Sequence, residues 1–361
     1  MKYDDHPFIA IWEITQACDL VCQHCRACAQ PARDAQELST QEGFALLRRF
    51  AEAKVPLVVL TGGDPAKRPD LVELVRYGVS LGLHLGLTPS ATPLVTENLL
   101  EQLVAAGLKR LAVSIDGPDA ITHDAFRGVQ GSFDQAARIL STCERLDLRT
   151  QINTSVHNGN IARLPEMAEL VKSLRSVLWS VFYVVPTGRA EASMLPSAEA
   201  VEQSLLDLAT IAESAPFALK TTAAPHYRRV LAERQKLTGS RPDYGVMGKL
   251  GERVNDGRGF LFVSHRGEIY PSGFLPLGCG NVRHSDPITV YREHPLFRGL
   301  RDADRFTGKC GVCVYRNLCG GSRARAFALN GSPYASDPLC AYVPPGYVET
   351  EANAPRRLAL V

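Results

Sequence analysis

Three cysteines close to the amino terminus, Cys18, Cys22 and Cys25, constrain this chain more than any other feature of its sequence. They fit within eight residues, and three thiolates at this spacing can hold one corner of an iron–sulfur cluster and leave one iron open to another ligand. Cys28 allows two alternatives, a zinc site with four cysteine ligands or a cluster with no open position. The spacing therefore predicts a metal site and leaves three types of site open.

The composition excludes several classes of protein. The chain has 361 residues and a net charge of +2, so no strong field attracts nucleic acid or an anionic membrane. Its apolar runs are too short to span a bilayer, and its first residues lack the apolar core of a signal peptide. We therefore expect a cytoplasmic protein, in which the ten cysteines indicate metal or redox chemistry rather than disulfides.

Residues 8–190 alternate between predicted strands and helices. The first predicted strand, residues 9–14, runs into the cysteine motif, and the second, residues 57–60, precedes Gly62 and Gly63. About six such βα units imply parallel strands with right-handed crossovers. Since six units are too few for an eight-stranded barrel, we predict an α/β fold, a partial (β/α)6 barrel of parallel strands. Its ligand site should lie at the carboxyl ends of the strands.

Two predicted helices begin with a capping box, in which a serine and a glutamate or glutamine three residues later satisfy each other's backbone donors. The pairs are Ser39 with Glu42, and Ser132 with Gln135. Beyond residue 188 the βα pattern stops. We predict a barrel domain over residues 1–195, a helical linker region over 196–255, and a cysteine-rich iron–sulfur extension with a β-hairpin over 256–361.

A second group of cysteines lies in the predicted extension. Cys310, Cys313, Cys319 and Cys340 include one pair separated by only two residues. Four cysteines of this kind suit a closed metal site, and their chemistry fits either zinc or a [4Fe–4S] cluster. The residues alone leave that choice open.

The chain resembles radical S-adenosylmethionine (SAM) enzymes. Their hallmarks are the C-x3-C-x2-C motif after strand one and a Gly-Gly-Glu type motif after strand two, here Gly62-Gly63-Asp64. The resemblance implies that Cys18, Cys22 and Cys25 hold a [4Fe–4S] cluster whose open iron is chelated by SAM. It also implies SAM contacts for Gly62, Gly63 and Asp64 at the amino group, for His24 near the adenine, and for Ser114, Asp116 and Asn153 around the ribose.

The activity that the resemblance implies is a radical reaction. An electron, supplied by a donor such as flavodoxin or ferredoxin, cleaves SAM reductively to a deoxyadenosyl radical. That radical abstracts hydrogen from a substrate carbon. The cofactor supplies this chemistry, while the protein orients the substrate and excludes competing reactions.

The second cysteine group resembles part of a SPASM or twitch-type extension, which implies that its four cysteines hold one auxiliary [4Fe–4S] cluster. A full SPASM domain has further ligands, beginning with a Tyr-Pro-Cys sequence where this chain has Ser272 instead of cysteine. We therefore predict one auxiliary cluster. Cys279 is expected to be a plain thiol, Cys143 a core residue and Cys28 a loop residue.

Residues 221–229, 280–283 and 319–326 resemble a branch of radical SAM enzymes that modify porphyrin side chains in haem biosynthesis. Such a tetrapyrrole substrate carries propionates, with which arginines pair through bidentate hydrogen bonds. His226 or Tyr227 can approach its iron. The candidate arginines, each with a structural role as the alternative, are Arg228, Arg229, Arg323 and Arg325.

Two other functions compete with a tetrapyrrole enzyme. The first is a radical SAM maturase of a ribosomally synthesised peptide, since mycofactocin-type enzymes share the domain plan. About ten residues precede the first predicted strand, so we expect no fused leader-binding domain. The second is a zinc or iron–sulfur binding protein without catalysis, which would make residues 62–64 an ordinary turn.

Overall fold

One sheet of nine strands organises the computed structural model, which describes residues 3–238 and 254–348. The strands are β1 (Ile9–Thr15), β2 (Leu57–Gly62), β3 (Leu85–Leu87), β4 (Arg110–Ser114), β5 (Arg149–Val156), β6 (Leu178–Tyr183), β7 (Ala218–Thr222), β8 (Phe260–Val263) and β9 (Ile269–Tyr270). Their order is β7-β6-β5-β4-β3-β2-β1-β8-β9. All neighbouring pairs are parallel except β8 and β9. The predicted α/β fold with a parallel sheet is confirmed.

Helices connect the parallel strands. They are α1 (Thr40–Glu52), α2 (Leu71–Ser80), α3 (Glu97–Ala105), α4 (Ala120–Arg127), α5 (Ser132–Arg145), α6 (Leu164–Ser173), α7 (Ala198–Ser214) and α8 (His226–Thr238), followed beyond the sheet by α9 (Pro287–Glu293), α10 (Pro295–Arg301), α11 (Gly308–Val312) and α12 (Arg323–Asn330). Because β1 to β7 follow chain order, right-handed crossovers place their helices on one face of the sheet. We call the opposite face the inner face; it carries Gln151, Asn153 and Ser155 of β5.

The core lies between the sheet and the crossover helices. Trp12 of β1 is fully buried there, and α1 approaches it through Gly43. A Cβ atom at residue 43 would lie 2.5 Å from the Trp12 ring, so this close approach requires glycine. Cys143 of α5 is also fully buried, which agrees with the predicted core role.

The two predicted capping boxes have different outcomes. Ser39 and Glu42 form theirs at the start of α1, as predicted. At α5 the prediction is wrong, because Gly131 in the left-handed region is the N-cap residue. The Ser132 hydroxyl instead donates to Asp124 of α4 at 2.9 Å. The side chain of Asp124 therefore organises this turn.

The sheet extends further than the sequence indicates. β7 lies within the predicted linker region and adds a seventh parallel strand beside β6. The predicted hairpin is present as β8 and β9, but β8 also pairs in parallel with β1. The predicted linker includes residues 239–253, which lie outside the described residues, and the domain limits stay a prediction.

No helix in residues 3–238 and 254–348 combines the length and apolar character needed to cross a membrane.

Candidate functional site

The first cysteine motif lies on a loop that follows β1 and closes on itself. The Cys18 N–H donates to the Gln30 carbonyl at 2.8 Å, and the Gln30 N–H donates to the Gln16 carbonyl at 3.2 Å. Cys18 and Cys22 are buried, and Cys25 is partly exposed. Hydrogen bonds at the base of the loop thus fix its shape where it leaves the sheet.

Each of the three sulfur atoms accepts a hydrogen bond from the protein. The donors are the Leu20 N–H for Cys18 and the Ala29 N–H for Cys25, both at 3.4 Å, and the Arg127 guanidinium for Cys22 at 3.8 Å. Donors aimed at sulfur stabilise thiolate ligands and tune the potential of an iron–sulfur cluster. The loop therefore has the donor set of a cluster site.

Two glycines hold this loop against the end of β2. A Cβ atom on Gly62 would lie 2.4 Å from the Thr15 carbonyl oxygen, and one on Gly63 would lie 2.4 Å from that of Ala17. The Gly63 N–H also donates to the Thr15 carbonyl at 2.8 Å. Close packing of two backbones therefore explains both glycines, in addition to the ligand approach that the sequence predicts.

A pocket of about 160 Å³ opens beside the loop. Of the residues predicted to contact SAM, it includes Gly62, Gly63 and Ser114. Its other walls come from the ends of β2 and β3, from the cysteine loop and from α4, through Leu20, Thr61, Thr88, Pro89, Ser90, Ala91, His123 and Arg127. The pocket thus lies at the carboxyl ends of the parallel strands, the place where the sequence predicts the ligand site.

Asp64 lies behind this pocket. Its side chain is fully buried and accepts hydrogen bonds from the Thr92 hydroxyl at 2.6 Å and from the Ala66 and Ser90 N–H groups. Burial raises the pKa of its carboxyl, against the effect of these hydrogen bonds. In this arrangement Asp64 connects the end of β2 to the turn after β3.

Asp116 is fully buried behind the pocket and paired with Arg127. The Arg127 Nε donates to Oδ2 at 2.6 Å, and the Ser155 N–H donates to Oδ1 at 2.6 Å. Burial alone would raise the pKa of Asp116, but the Arg127 charge, the two neighbouring histidines and the Ser155 N–H together outweigh it and lower the pKa. Asn153 is the register partner of Ser114, and its side chain accepts from Gln151.

His24 belongs to a stack of rings at the edge of the loop. Its ring lies 4.1 Å from that of Phe126, which lies 4.1 Å from that of His157 on its other side. Burial, followed by the Arg127 charge, lowers the pKa of His24 to about 3, so the imidazole is neutral at pH 7. The stack presents neutral aromatic surface beside the cysteines.

The second cysteine group converges on one cavity. Its walls include all four sulfur-bearing residues, Cys310, Cys313, Cys319 and Cys340. The sulfurs of Cys313 and Cys319 each accept an N–H bond at 3.4 Å from the residue two positions later, as Cys18 does. This repeated pattern gives both cysteine groups similar local backbone geometry.

Cationic side chains surround this second cavity. The Arg323 Nη2 donates to the Cys310 sulfur at 3.5 Å. His226 lies beside Cys340, with its Nε2 atom 3.2 Å from Asp337 Oδ2. Burial alone would lower the pKa of His226, but Asp337 and Cys340 together outweigh it and raise the pKa to about 9. The imidazole is therefore charged at pH 7.

The candidate propionate-binding arginines do not share one surface. Arg323 and Arg325 are fully buried, and Arg325 forms an ion pair with Asp337 at 2.8 Å. Arg229 is also buried and pairs with Glu202 and Glu233. These contacts favour the structural alternative for Arg229, Arg323 and Arg325. The buried position of His226 and Tyr227 likewise takes them away from an exposed substrate surface.

Ser272 and Cys279 of the extension both take part in hydrogen bonds with other residues. Its hydroxyl donates to Asp256 at 2.5 Å, and the other Asp256 oxygen accepts the Ala324 N–H at 3.0 Å. Cys279 is buried, its thiol donates to the Leu277 carbonyl at 3.4 Å, and burial raises its pKa to about 12. Both residues are thus held in hydrogen bonds of their own.

Sequence reasoning missed four residues of the site: Ser90, Phe126, Arg127 and His157. The Ser90 hydroxyl lies 3.3 Å from the Cys18 sulfur. Its position directly after the short strand β3 was the one available signal, because loops after parallel strands line such sites. Phe126 and Arg127 end α4 and have no pattern that separates them from ordinary helix residues.

Comparisons with known proteins agree with this geometry. A sequence model of the radical SAM superfamily matches residues 12–171. An AdoMet-dependent heme synthase of Oleidesulfovibrio alaskensis is 41% identical over 337 residues, covering 92% of this chain and 87% of that protein. A PqqA peptide cyclase of Rhodopseudomonas palustris is 30% identical over 347 residues, covering 94% and 88%.

Solved structures share the fold at low sequence identity. The crystal structure of Streptococcus suis SuiB bound to S-adenosylmethionine aligns with a TM-score of 0.72 and 17% identity. The alignment covers 94% of this chain and 78% of that chain. At this identity the likeness concerns the fold alone.

Proposed function

Because the chain belongs to the radical SAM superfamily and is an enzyme of that type, we propose that it modifies the side chains of a tetrapyrrole haem precursor. The observation that carries this proposal is the 41% identity to an AdoMet-dependent heme synthase along nearly the whole chain. The identity to a PqqA peptide cyclase is 30%, which makes a peptide substrate the second candidate.

Cys18, Cys22 and Cys25 would hold the SAM-binding [4Fe–4S] cluster. Three thiols on one closed loop, each with a donor to its sulfur, fit such a group. When bound, the cluster and SAM supply the electron transfer and the radical that abstracts hydrogen from the substrate. The loop holds the cysteines in place, and the neutral ring of His24 excludes water beside them.

SAM would occupy the neighbouring pocket. Gly62 and Gly63 present backbone there without side chains, and Ser114 offers a hydroxyl at the end of β4. Asp64, Asp116 and Asn153 would act around this pocket, Asp116 chiefly by orienting Arg127. Arg127 then stands between the cysteine loop and the pocket, with its charge balanced by a carboxylate.

Cys310, Cys313, Cys319 and Cys340 would hold one auxiliary [4Fe–4S] cluster. All four line one cavity, so they can act on a single bound group. The resemblance to a SPASM or twitch-type extension favours a [4Fe–4S] cluster over zinc as that group. The charged groups near Cys310 and Cys340 suit an anionic cluster.

The further partners of the proposed reaction are an electron donor such as flavodoxin or ferredoxin and a cytoplasmic tetrapyrrole. Neither nucleic acid nor a membrane is required. A peptide substrate would replace the tetrapyrrole in the second candidate function. The two candidates share the SAM chemistry, so only the substrate distinguishes them.

The test is an anaerobic assay of the reconstituted protein with SAM and dithionite. Deoxyadenosine is followed with and without an iron porphyrin that carries propionates, and the porphyrin mass is recorded. Stimulated deoxyadenosine and a changed porphyrin mass are expected, together with about eight iron atoms per chain. Slow deoxyadenosine formation that porphyrins do not change would overturn the tetrapyrrole substrate in favour of a peptide. The Cys22→Ser variant controls for chemistry that does not need the cluster.

A further inference from the structure

Three cationic side chains lie on the inner face of the sheet, apart from both cysteine groups. Arg110 opens β4 and Arg149 opens β5, and the two are register partners on adjacent strands. Lys220 lies on β7 and belongs to the row that runs from Ser114 through Asn153 and Ser180. Since residues an even number of positions apart on a strand share a face, Arg110 and Arg149 face the same side as this row.

The burial along β5 identifies this side as the inner one. Thr150, Ile152 and Thr154 are buried toward the helices, whereas Gln151 and Asn153 are partly exposed on the other face. The pattern assigns Arg149 to the inner face with Gln151 and Asn153. The inner face is thus polar through the middle of the sheet, where a purely structural core would be apolar.

The three cations have no counterion. Within residues 3–238 and 254–348, no ion pair or side-chain hydrogen bond includes Arg110, Arg149 or Lys220. Burial, and after it the Arg149 charge, lowers the pKa of Arg110. Burial and then the Arg110 charge lower the pKa of Lys220 to about 8. Like charges on one face are destabilising, so this arrangement costs stability that a bound anion would recover.

The neighbour of Lys220 in the row is also without a partner. Ser180 is fully buried, and its hydroxyl oxygen makes no hydrogen bond. A buried hydroxyl without a partner is costly, and such groups mark sites that a ligand completes. Lys220 and Ser180 are register partners, so one oxygen-bearing group can reach both.

Glu13, the carboxylate on the inner face closest in sequence to the cysteine loop, already has cationic partners. Glu13 of β1 pairs with Arg26 and with His265, which lies 2.6 Å away. It therefore does not neutralise the three cations. An anionic group from the substrate is the remaining chemistry that suits them.

We propose that Arg110, Arg149 and Lys220 form the site that binds the carboxylates of the substrate. The inference rests on the proposed function, in which the substrate is a tetrapyrrole with propionate side chains. Lys220 shares a row with Ser114 of the pocket proposed for SAM and lies three strands from it, about 14 Å across the inner face. Arg110 and Arg149 lie four residues nearer the amino ends of β4 and β5, so the site would hold carboxylates on the side of the substrate remote from that pocket. Bidentate pairing with guanidinium groups would fix the substrate orientation against that pocket.

The test measures the affinity of the reconstituted holoenzyme for two iron porphyrins. The first carries four propionates, and the second is its tetramethyl ester, which has no free carboxylate. Lys220→Gln and Arg110→Gln should each weaken binding of the tetrapropionate about tenfold, the effect of one charge-assisted hydrogen bond. Binding of the ester should not change. Lys220→Arg, which keeps the charge, should stay close to wild type. Lys172→Gln on α6, whose side chain is 59% exposed, is the matched surface control.

Thermal unfolding separates binding from folding. Removing an uncompensated cation should leave the melting temperature unchanged or raise it, whereas a structural cation would lower it when removed. Equal tetrapropionate affinity in Lys220→Gln, Arg110→Gln and wild type would overturn the inference while leaving the tetrapyrrole function intact. Weakened SAM binding with unchanged porphyrin binding would assign the cations to the SAM carboxylate and also overturn it. Failure of the wild type to bind either porphyrin would remove the proposed function and this inference together.

Discussion

The two cysteine groups use the same ligand chemistry in different surroundings. Cys18, Cys22 and Cys25 lie on one loop at the end of β1, next to an open pocket of about 160 Å³. The second group draws on residues 310–340 and lines a cavity whose walls include His226 and Arg229. The first arrangement leaves room for a further ligand, and the second brings four thiols to one cavity, two of them buried and two partly exposed.

The two groups also differ in whether the arginine beside the sulfur is neutralised by a carboxylate. Arg127 approaches Cys22, but the ion pair with Asp116 neutralises it. Arg323 approaches Cys310, and no carboxylate of the described chain pairs with it. An unbalanced positive charge favours the reduced, more negative form of a cluster. We therefore expect the cluster proposed at the second group to have a higher reduction potential than the one proposed at the first.

The largest difference should appear when one cysteine is removed from each group. Cys22→Ser should abolish deoxyadenosine formation, because the SAM-binding cluster loses a ligand, and should reduce iron from about eight to about four atoms per chain. Cys313→Ser should reduce iron equally but keep the slow cleavage of SAM that occurs without substrate. Iron analysis and a deoxyadenosine assay of both variants measure this. Loss of SAM cleavage in Cys313→Ser, at normal occupancy of the first cluster, would contradict the separation of roles.

The ion pair between Asp116 and Arg127, behind the first group, should contribute strongly to the free energy of unfolding. Arg127→Met leaves the fully buried Asp116 without its cation, which should cost about 3–5 kcal/mol of unfolding free energy. Adding Asp116→Asn should recover most of this loss, since the amide oxygen still accepts the Ser155 N–H. Chemical denaturation of the single and double variants checks both values.

A surface pair provides the control for that experiment. Arg175 pairs with Glu144 at 2.8 Å while its side chain is 77% exposed. Arg175→Met should change the unfolding free energy by less than about 1 kcal/mol. Equal losses of unfolding free energy in Arg127→Met and Arg175→Met would show that the buried ion pair contributes no more to stability than the exposed one.

Particular residues show which parts of this molecule a sequence can predict. The strands and the two cysteine groups follow from local patterns, namely the alternation of apolar segments and the spacing of thiols. β7 was missed because Lys220 and two threonines hide its apolar residues. Lys220 turns toward the inner face, so the polar pattern that concealed the strand is the same feature that marks a candidate binding site.

The roles of charged residues were predicted less well, because partners distant in sequence decide them. Nothing near Arg325 indicates its ion pair with Asp337, or its bond to the Ala223 carbonyl 102 positions away. Arg127 likewise depends on Asp116 at the end of another element. Residue type gives the possible chemistry of such a side chain, and tertiary packing determines which partner it has.

Reduction potentials test the charge difference between the two groups directly. Arg323→Met should lower the potential of the second cluster by about 65–130 mV, which corresponds to a charge-assisted hydrogen bond of about 1.5–3 kcal/mol for one electron. The Arg127→Met and Asp116→Asn double variant removes no net charge and should shift the first cluster much less. Redox titration followed by electron paramagnetic resonance measures both, and SAM identifies the first cluster by changing its spectrum. Equal shifts in both variants would refute the comparison.

The smallest effects are expected at the cysteines outside both groups. Cys279 and Cys143 are both buried thiols, and neither is among the described residues that line the cavity shared by the second cysteine group. Cys279→Ala and Cys143→Ala should each keep the wild-type iron content and lower stability by about 1 kcal/mol. Iron analysis after anaerobic reconstitution measures the first quantity, with Cys143→Ala as the matched control. A loss of about four iron atoms in Cys279→Ala alone would mean that the extension holds a second auxiliary cluster despite Ser272.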